Sequence, residues 1–423
     1  MARSHLAAGS VVAILIAIAA FSRGADPLPT TPGAPSAPDE RGAPAAEALT
    51  VAPTTQPVTL VSVPAIAGDP HTPTLSALGD PGNDAFPPPL VDPSDVRPGG
   101  PPPDGIPPID QPRFERATSV EWLHDAEPVL SLEINGDARA YPIQIMTWHE
   151  IVNDAVGDVP VAVTYCPLCN SAIVYDRRAD GRIFDFGTSG RLLHSSLVMY
   201  DRQTESLWSH FTGQAVIGTA TGTTLETWPV STISWESFRA AHPDGLVLSR
   251  ETGFARTYGA NPYPGYDDVN SPPFLYDGEV DGRLAAQTRV IAVRGATETI
   301  AVVLDHARDH RVIEETLDGS PIVVFHQPGT ASALDAATVA DGRDVGATGV
   351  FEPVIDGQQV ELEARTGDDG TVFVDRRTGT TFDILGRALD GPLAGRSLPT
   401  VEHLDTFWFA IAAFEPATRI VGP

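Results

Sequence analysis

The two cysteines of the chain stand three residues apart, in the run Cys166-Pro-Leu-Cys169. This spacing brings two sulfur atoms within reach of each other, so it suits disulfide exchange, metal coordination or a short structural disulfide. Strand-like residues at 159–165 and 171–175 flank the motif. Such flanks are typical of a metal-binding knuckle, whereas a thioredoxin-type pair sits at the start of a helix. These cysteines are the candidates for covalent chemistry in the chain.

Three functions fit the cysteine pair. The preferred one is a thiol oxidoreductase, in which Cys166 and Cys169 cycle between dithiol and disulfide with a redox partner protein or a small oxidant. The second is a copper or zinc binding protein without turnover. The third is a cell-envelope binding module in which a disulfide is only a staple, and a staple closing so short a loop stabilises little.

A metal at this motif needs further ligands, because a tetrahedral zinc ribbon takes two cysteine pairs and the chain has one. The missing ligands are sought among His149, His194 and His210, or in a second subunit. The predicted metal set is Cys166, Cys169 and His194. Copper or zinc is the only cofactor that the residues suggest.

His149 is the predicted acid–base partner of Cys166. The run from Thr147 to Glu150 matches a capping box, which predicts a short helix that starts there and includes Ile151. His149 would then be near the helix N-terminus, where the dipole disfavours ring protonation. A half-buried histidine that merely satisfies a hydrogen bond is the alternative.

Composition excludes several classes of function. The net charge is −28 and the pI is near 4.5, so a nucleic-acid partner is not expected. The chain contains no lysine, which rules out Schiff-base chemistry and a P-loop. It also lacks the Gly-x-Ser-x-Gly and His-Glu-x-x-His patterns of common hydrolases.

The first part of the chain predicts export. Residues 1–23 combine a basic Arg3 with an apolar run that is short for a membrane span, as in a signal peptide or signal anchor. Residues 24–112 hold more than half of the 40 prolines and predict a disordered linker. The expected location is extracytoplasmic, with membrane contact only through the N-terminal segment.

The remaining sequence predicts an α+β fold made of short antiparallel strands and a few short helices. Asn135-Gly136 between two strand-like runs is a strong hairpin signal. Motifs around Asp201 and Trp235 recur around Asp375 and Trp408 at a nearly constant offset. The sequence therefore predicts a tandem duplication, with a first copy at 113–270 and a second copy at 280–423 that lacks the cysteines.

Several motifs of the chain resemble a bacterial family of unknown function, DUF3179. They lie at 148–154, 164–169, 199–208 and 242–244, and the resemblance extends over about residues 120–423. The family has no assigned reaction. Some members are labelled selenoproteins, which implies that selenocysteine can stand in the cysteine motif and favours redox chemistry. The chain departs from the usual family wording at 193–196, which includes His194, and at His210.

Overall fold

The computed structural model describes residues 58–71, 73–367 and 370–423 of the chain. The predicted signal segment, residues 1–23, and the first part of the predicted linker, residues 24–57, lie outside the described residues. Within the described residues, no helix combines the length and the apolar character that a membrane crossing requires.

Residues 58–71 and 73–112, here called the N-terminal arm, pack against the rest of the fold, although the sequence predicted a disordered linker as far as residue 112. Strand β1 (Arg97–Pro98) pairs with a later strand, and Ile109 bridges to Val152. Val96 is buried. The linker prediction therefore needs correction for this part, because a few apolar residues among the prolines supply contacts that average composition conceals.

The first half of the folded region begins with a twisted sheet and a hairpin that carries the cysteines. Its first elements are β2 (Phe114–Arg116), β3 (Pro128–Ile134), β4 (Asp137–Pro142), α1 (Ile143–His149), β5 (Ile151–Val156), β6 (Val159–Cys166) and β7 (Ser171–Asp176). The predicted hairpin is present between β3 and β4, with Asn135 at φ 52° and Gly136 at φ 80°. These positive φ angles are those that an Asn-Gly turn supplies.

The prediction of a helix that starts at Thr147 is wrong. Helix α1 starts at Ile143, and Thr147 donates a hydrogen bond from Oγ1 to the Ile143 carbonyl (3.1 Å) inside that helix. Glu150 ends the helix at φ 59°, and the following residues form β5. His149 therefore lies at the C-terminal end of a helix, the end opposite to the predicted one.

The first half continues with further strands and one helix. The strands complete three sheets and form a separate two-stranded one. They are β8 (Arg178–Ala179), β9 (Arg182–Ile183), β10 (Phe186–Leu193), β11 (Ser196–Asp201), β12 (Leu207–Ser209), β13 (Ala215–Ile217), β14 (Thr227–Trp228), β15 (Ser231–Ser234), α2 (Trp235–Ala241) and β16 (Leu246–Leu248). The sheet orders are β1-β10-β11-β12-β13, β14-β7-β6-β5 and β15-β3-β4-β16-β2, and β8 pairs with β9 alone.

The second half uses the same kinds of element. They are β17 (Arg289–Arg294), β18 (Thr299–Val303), α3 (Leu304–His310), β19 (Val312–Leu317), β20 (Ser320–Gln327), β21 (Ala347–Phe351), β22 (Val354–Ile355), β23 (Gln358–Gln359), β24 (Leu362–Gly367), β25 (Gly370–Asp375), β26 (Thr381–Phe382), β27 (Ala388–Asp390), β28 (His403–Phe407), α4 (Trp408–Phe414) and β29 (Arg419–Val421). Three one-turn 3-10 helices complete the fold: Pro93–Asp95, Ala117–Ser119 and Val339–Asp341.

One strand order occurs in both halves. The first half has β15-β3-β4-β16 and the second has β28-β17-β18-β29. In each case the last two strands are parallel and the other neighbours are antiparallel. A seven-residue helix follows the corresponding strand in both, α1 after β4 and α3 after β18. The chain thus has the β-rich α+β fold that the sequence predicted.

The two halves are packed into each other. Strand β7 lies against β28, and β15 lies against β21. The largest apolar core contains Cys166 and Trp208 from the first half together with Phe407 and Trp408 from the second. The cysteine motif therefore belongs to a core that neither half completes alone.

A buried carboxylate shapes the turn between β11 and β12. Asp201 accepts hydrogen bonds from Thr204 N (2.5 Å), Thr204 Oγ1 (2.7 Å) and the indole N–H of Trp208 (2.8 Å). Asp375 makes a similar turn in the second half, accepting from Thr378 N (3.1 Å) and Thr378 Oγ1 (2.7 Å). The sequence repeat at these positions therefore corresponds to a turn that a carboxylate caps.

We expect Asp201→Ala to lower the free energy of unfolding by about 2–4 kcal/mol, because it leaves the buried indole N–H of Trp208 without an acceptor. Asp375→Ala is the matched control, since its turn has no indole donor, and we expect a loss of about 1–2 kcal/mol. Urea unfolding measures both changes. Equal losses in the two variants would contradict the role assigned to the Trp208 hydrogen bond.

Candidate metal centre

The Cys-x-x-Cys motif forms the tight connection between β6 and β7. Cys166 is the last residue of β6 and pairs with Ser171, the first residue of β7. Within the turn, Asn170 adopts φ 50° and its N–H donates to the Pro167 carbonyl (3.2 Å). The turn also brings Cys169 Sγ to 3.8 Å from the Cys166 carbonyl oxygen. Local backbone geometry therefore holds the two cysteines together.

The second half of the chain fixes the shape of this turn. The Cys169 carbonyl accepts hydrogen bonds from Thr406 Oγ1 (2.8 Å) and from the Phe407 N–H (3.1 Å), both of β28. The Leu168 carbonyl accepts from the hydroxyl of Tyr266 (3.0 Å). The motif is consequently held between two halves of the fold and is not a surface hairpin.

Both cysteines are free thiols that solvent hardly reaches. Cys166 is 1% exposed and Cys169 is 0% exposed. The structure therefore holds no disulfide staple at this motif. A sulfur atom so enclosed is also a poor target for a partner thiol, because exchange requires direct approach to the sulfur.

His210 supplies a third donor beside the two sulfurs. It follows β12, its N–H donates to the Leu197 carbonyl (3.1 Å), and its own carbonyl accepts from the Tyr175 hydroxyl (2.5 Å). One donor atom from each of Cys166, Cys169 and His210 lies within 4.8 Å of the other two. All three side chains are buried. Among the described residues, this is the one cluster in which three potential metal ligands come together.

Hydrogen bonding fixes the protonation of the His210 ring. Thr164 Oγ1 donates its single proton to the Ile173 carbonyl (2.6 Å), so it can only accept from His210 Nε2, 2.9 Å away. The ring proton is therefore on Nε2, and Nδ1 carries a lone pair. Burial lowers the pKa of His210 to about 4, which keeps the ring neutral.

The Nδ1 atom of His210 is buried and has no hydrogen-bond partner among the described residues. An unpaired buried acceptor costs about 1–3 kcal/mol, so such atoms are rare and often mark a ligand site. Metal bonds of about 2.3 Å to sulfur and about 2.0 Å to nitrogen put ligand atoms about 3.5–4 Å apart. One donor atom from each of the three side chains already lies within 4.8 Å of the other two, which is close to that spacing.

Hydrogen bonds separate the acidities of the two thiols. Burial raises the pKa of Cys166 well above its usual value, and a hydrogen bond with Cys169 raises it further. Burial would also raise the pKa of Cys169, but hydrogen bonds from Cys166, Ser171 and Ser196 outweigh it and lower that pKa. The Ser171 and Ser196 hydroxyls are 2.9 Å and 3.5 Å from Cys169 Sγ. Cys169 is thus the more acidic thiol of the pair.

Glu150 adds a buried carboxyl group near Cys166. It is 6% exposed, and its backbone has the positive φ noted above. Burial, and then the negative charge of Cys166, raise the pKa of Glu150 well above its usual value. Both effects favour the neutral form of this carboxyl group.

The structure places His149 away from the cluster. Its Nδ1 is 2.7 Å from the Pro107 carbonyl oxygen and its Nε2 is 2.7 Å from the Tyr258 hydroxyl. Both ring nitrogens are therefore occupied by groups other than the cysteines. This arrangement matches the alternative reading of His149 as a histidine that satisfies hydrogen bonds.

His194 also lies outside the cluster of potential ligands. It is half-buried at φ 51° in the turn between β10 and β11, with its ring edge against Phe414 at 5.2 Å. Of the three histidines considered from sequence, the structure brings His210 to the cysteines instead.

Sequence reasoning did not identify the residues that surround the three donors. They are Thr164, Ser171, Ser196 and Glu150, as described above. A signal for Thr164 was available, because it lies two residues before Cys166 on one strand and so shares its face. Ser171 borders the motif directly, whereas Ser196 reaches it through a hairpin that the sequence did not place.

Comparison with known proteins agrees with the motifs read from the sequence. The family described as "Protein of unknown function (DUF3179)" matches residues 103–418 of the chain. No curated protein and no solved structure matches the chain. The matched region includes all three donors and both halves of the fold. The chain therefore belongs to the DUF3179 family.

Proposed function

We propose that the chain is a metal-binding protein whose Cys166, Cys169 and His210 hold monovalent copper. The observation that carries this proposal is the buried cluster of two free thiols and His210, a histidine whose Nδ1 atom has no hydrogen-bond partner among the described residues. Thiolates and neutral imidazole form a soft donor set, which selects copper(I) or zinc over hard cations. The seryl hydroxyls near Cys169 and the threonine behind His210 are the kind of outer partners that orient metal ligands.

Ligand number favours copper(I) over zinc. Zinc sites take four ligands, and an open fourth position is filled by water or substrate. The cluster offers three donors, and all three are buried. Copper(I) is satisfied by two or three soft ligands, so an enclosed three-donor site suits it better.

A thiol oxidoreductase is the second candidate, favoured by the opposite pKa shifts of the two cysteines. In that reaction the Cys169 thiolate attacks a small disulfide and releases one of its thiols. Cys166 then loses its proton and attacks Cys169 Sγ, which closes the Cys166–Cys169 disulfide and releases the second thiol. Burial of both sulfurs opposes this candidate and is the reason that we rank it second.

Export and duplication complete the proposal. The apolar run before residue 23 and the proline-rich residues that follow support an extracytoplasmic location, where a redox partner or a copper donor would be met. The shared strand order of the two halves supports a tandem duplication in which only the first copy kept cysteines. The second copy would then serve as the support that fixes the cysteine turn.

Copper binding tests the proposal directly. We expect the protein, loaded anaerobically under reducing conditions, to hold one copper(I) per chain in native mass spectra. Cys166→Ser, Cys169→Ser and His210→Gln should each weaken binding by at least about 100-fold against a copper(I) chelator, a loss of about 2.7 kcal/mol. Glutamine keeps an amide that can donate to Thr164, so it limits damage to the fold.

His194→Ala is the matched control, because His194 was the ligand expected from sequence and lies outside the cluster. It should bind copper(I) as the native chain does. Retention of copper by His210→Gln together with its loss in His194→Ala would overturn the ligand assignment. A native chain that takes up no copper(I) would overturn the proposal itself.

The pH dependence of binding follows from the pKa shifts. Because the pKa of Cys166 is raised, its thiol is protonated at pH 7 and must release its proton to become a ligand. Affinity for copper(I) should therefore rise with pH between about 6 and 8, and Cys166 should contribute about one released proton per ion. His210 adds nothing in this window, since its pKa is about 4.

Calorimetry in buffers of different ionisation enthalpy counts the released protons. The Cys166→Ser variant provides the comparison, since its residual binding should release about one proton fewer per ion than the native chain. Equal proton release by the variant and the native chain would contradict the assignment of Cys166 as a protonated thiol.

Thiol accessibility separates the two candidate functions. The native metal-free protein should react with glutathione disulfide no faster than it unfolds, because both sulfurs are enclosed. Alkylation followed by mass spectrometry gives the rate, and partial denaturation with urea should accelerate it. Rapid, reversible formation of the Cys166–Cys169 disulfide without denaturant would favour the oxidoreductase.

A further inference from the structure

The N-terminal arm crosses a cleft of the fold at residues 60–69. Residues 60–67 of the arm form one wall of this cleft, which has a volume of about 630 Å³, and its other walls include Arg177, Asp185 and Arg202. None of residues 58–71 is buried, and of these residues Val63 packs against an apolar core of the fold. Residues 66–69 of the arm are held by hydrogen bonds, as expected where a fold recognises a peptide segment.

Two residues of the arm, Gly68 and Asp69, are held along their backbone. The Gly68 N–H donates to both carboxylate oxygens of Asp185, at 3.1 Å each. The Asp69 N–H donates to the Ile183 carbonyl (2.9 Å), and the Asp69 carbonyl accepts from Gln203 Nε2 (3.0 Å). All of these hydrogen bonds are made to main-chain groups of the arm, as in the recognition of an extended peptide.

The fold also contacts the side chain of Asp69. Its Oδ2 accepts a hydrogen bond from the Ile183 N–H (3.0 Å), so that Ile183 both donates to Asp69 and accepts from it. An asparagine could keep part of this contact, whereas an apolar side chain would leave the Ile183 N–H without its partner. The position after the glycine is therefore selective for a short side chain with an acceptor oxygen, such as aspartate.

Glycine is required at position 68 by direct contact. A Cβ atom there would overlap the Asp185 carboxylate and the Gln203 side-chain amide. The Asp185 and Gln203 groups are also hydrogen-bond partners of the arm, so they cannot move aside without breaking those hydrogen bonds. Any larger residue at this position is therefore excluded while those bonds are made.

Arg177 lies beneath the arm and contacts both Ile66 and Asp185. Its side chain is 1% exposed and pairs with Asp185, while Nη1 donates to the Phe184 carbonyl (3.0 Å) and Nη2 to the Asp154 carbonyl (3.2 Å). Nη2 also donates to the Ile66 carbonyl of the arm. A buried guanidinium held by the fold in this way is a preorganised donor for a peptide carbonyl.

We propose that Arg177, Ile183, Asp185 and Gln203 form a binding site for an extended peptide that contains a Gly-Asp pair. In this structure residues 66–69 of the same chain occupy the site. We call these four residues the Gly-Asp cradle. A free peptide of the same sequence competes with the arm for the cradle.

The positions of cradle and occupant in the chain agree with this proposal. All four cradle residues lie in the region that the family match covers, residues 103–418, and the occupant lies before it. The arm residues that fill the cradle are held without buried side chains, so they can leave without opening a core. The cradle is distant in sequence from its occupant and thus behaves as a site for a separate segment.

The test uses the full chain and a labelled peptide of residues 62–71. Gly68→Ala in the protein should release the arm, seen as faster hydrogen exchange in the peptides that cover residues 60–71. Because a linked arm competes at an effective concentration of order millimolar, the released variant should bind the peptide at least about tenfold more tightly than the native chain. Asp69→Ala, which adds no atom, is a second way to weaken the arm.

Two controls define the cradle. A peptide that carries Gly68→Ala should not bind the released variant, and Gln203→Ala in that variant should weaken binding of the native peptide by about tenfold. Equal binding of the native and Gly68→Ala peptides would overturn the proposal, as would equal binding by native and released proteins. Unchanged hydrogen exchange in both arm variants would show that residues 66–69 do not occupy a site of this kind.

Discussion

The two hydrogen bonds from β28 to the Cys169 carbonyl are the contacts on which the site depends. Thr406 and Phe407 come from the second half of the fold, and they hold the turn that carries both thiols. A four-residue turn with a positive φ at Asn170 is not rigid by itself. Docking between the halves therefore determines how close the sulfurs come to His210, and the half without cysteines has a direct part in the chemistry.

Burial has opposite consequences for different groups at this site. It raises the pKa of Cys166 and lowers that of His210, so both are neutral in the absence of a ligand. The Nδ1 atom of His210 is also buried and has no hydrogen-bond partner among the described residues. A cation bound by these three side chains would replace each lost interaction at once, since it favours thiolates and accepts the imidazole lone pair.

The sequence was sufficient for the features that short segments encode. The Asn135-Gly136 hairpin, the strands around the cysteines and the β-rich character all follow from local pattern. The helix of His149 was placed wrongly, because the residues at 147–150 match a cap while the strand after them ends the helix. His210 could not be chosen over His194, since only the path of the β10–β12 strands separates them. The packing of the arm also depends on distant partners, such as Val152 for Ile109.

X-ray absorption at the copper edge tests the central claim most directly, because it reports the atoms bound to the ion rather than the presence of the ion. For the protein loaded with copper(I), we expect two sulfur neighbours at about 2.3 Å and one nitrogen neighbour at about 2.0 Å. His210→Gln should remove the nitrogen neighbour, and His194→Ala should leave the spectrum unchanged. A first shell without sulfur, or one unaffected by His210→Gln, would contradict the proposed centre.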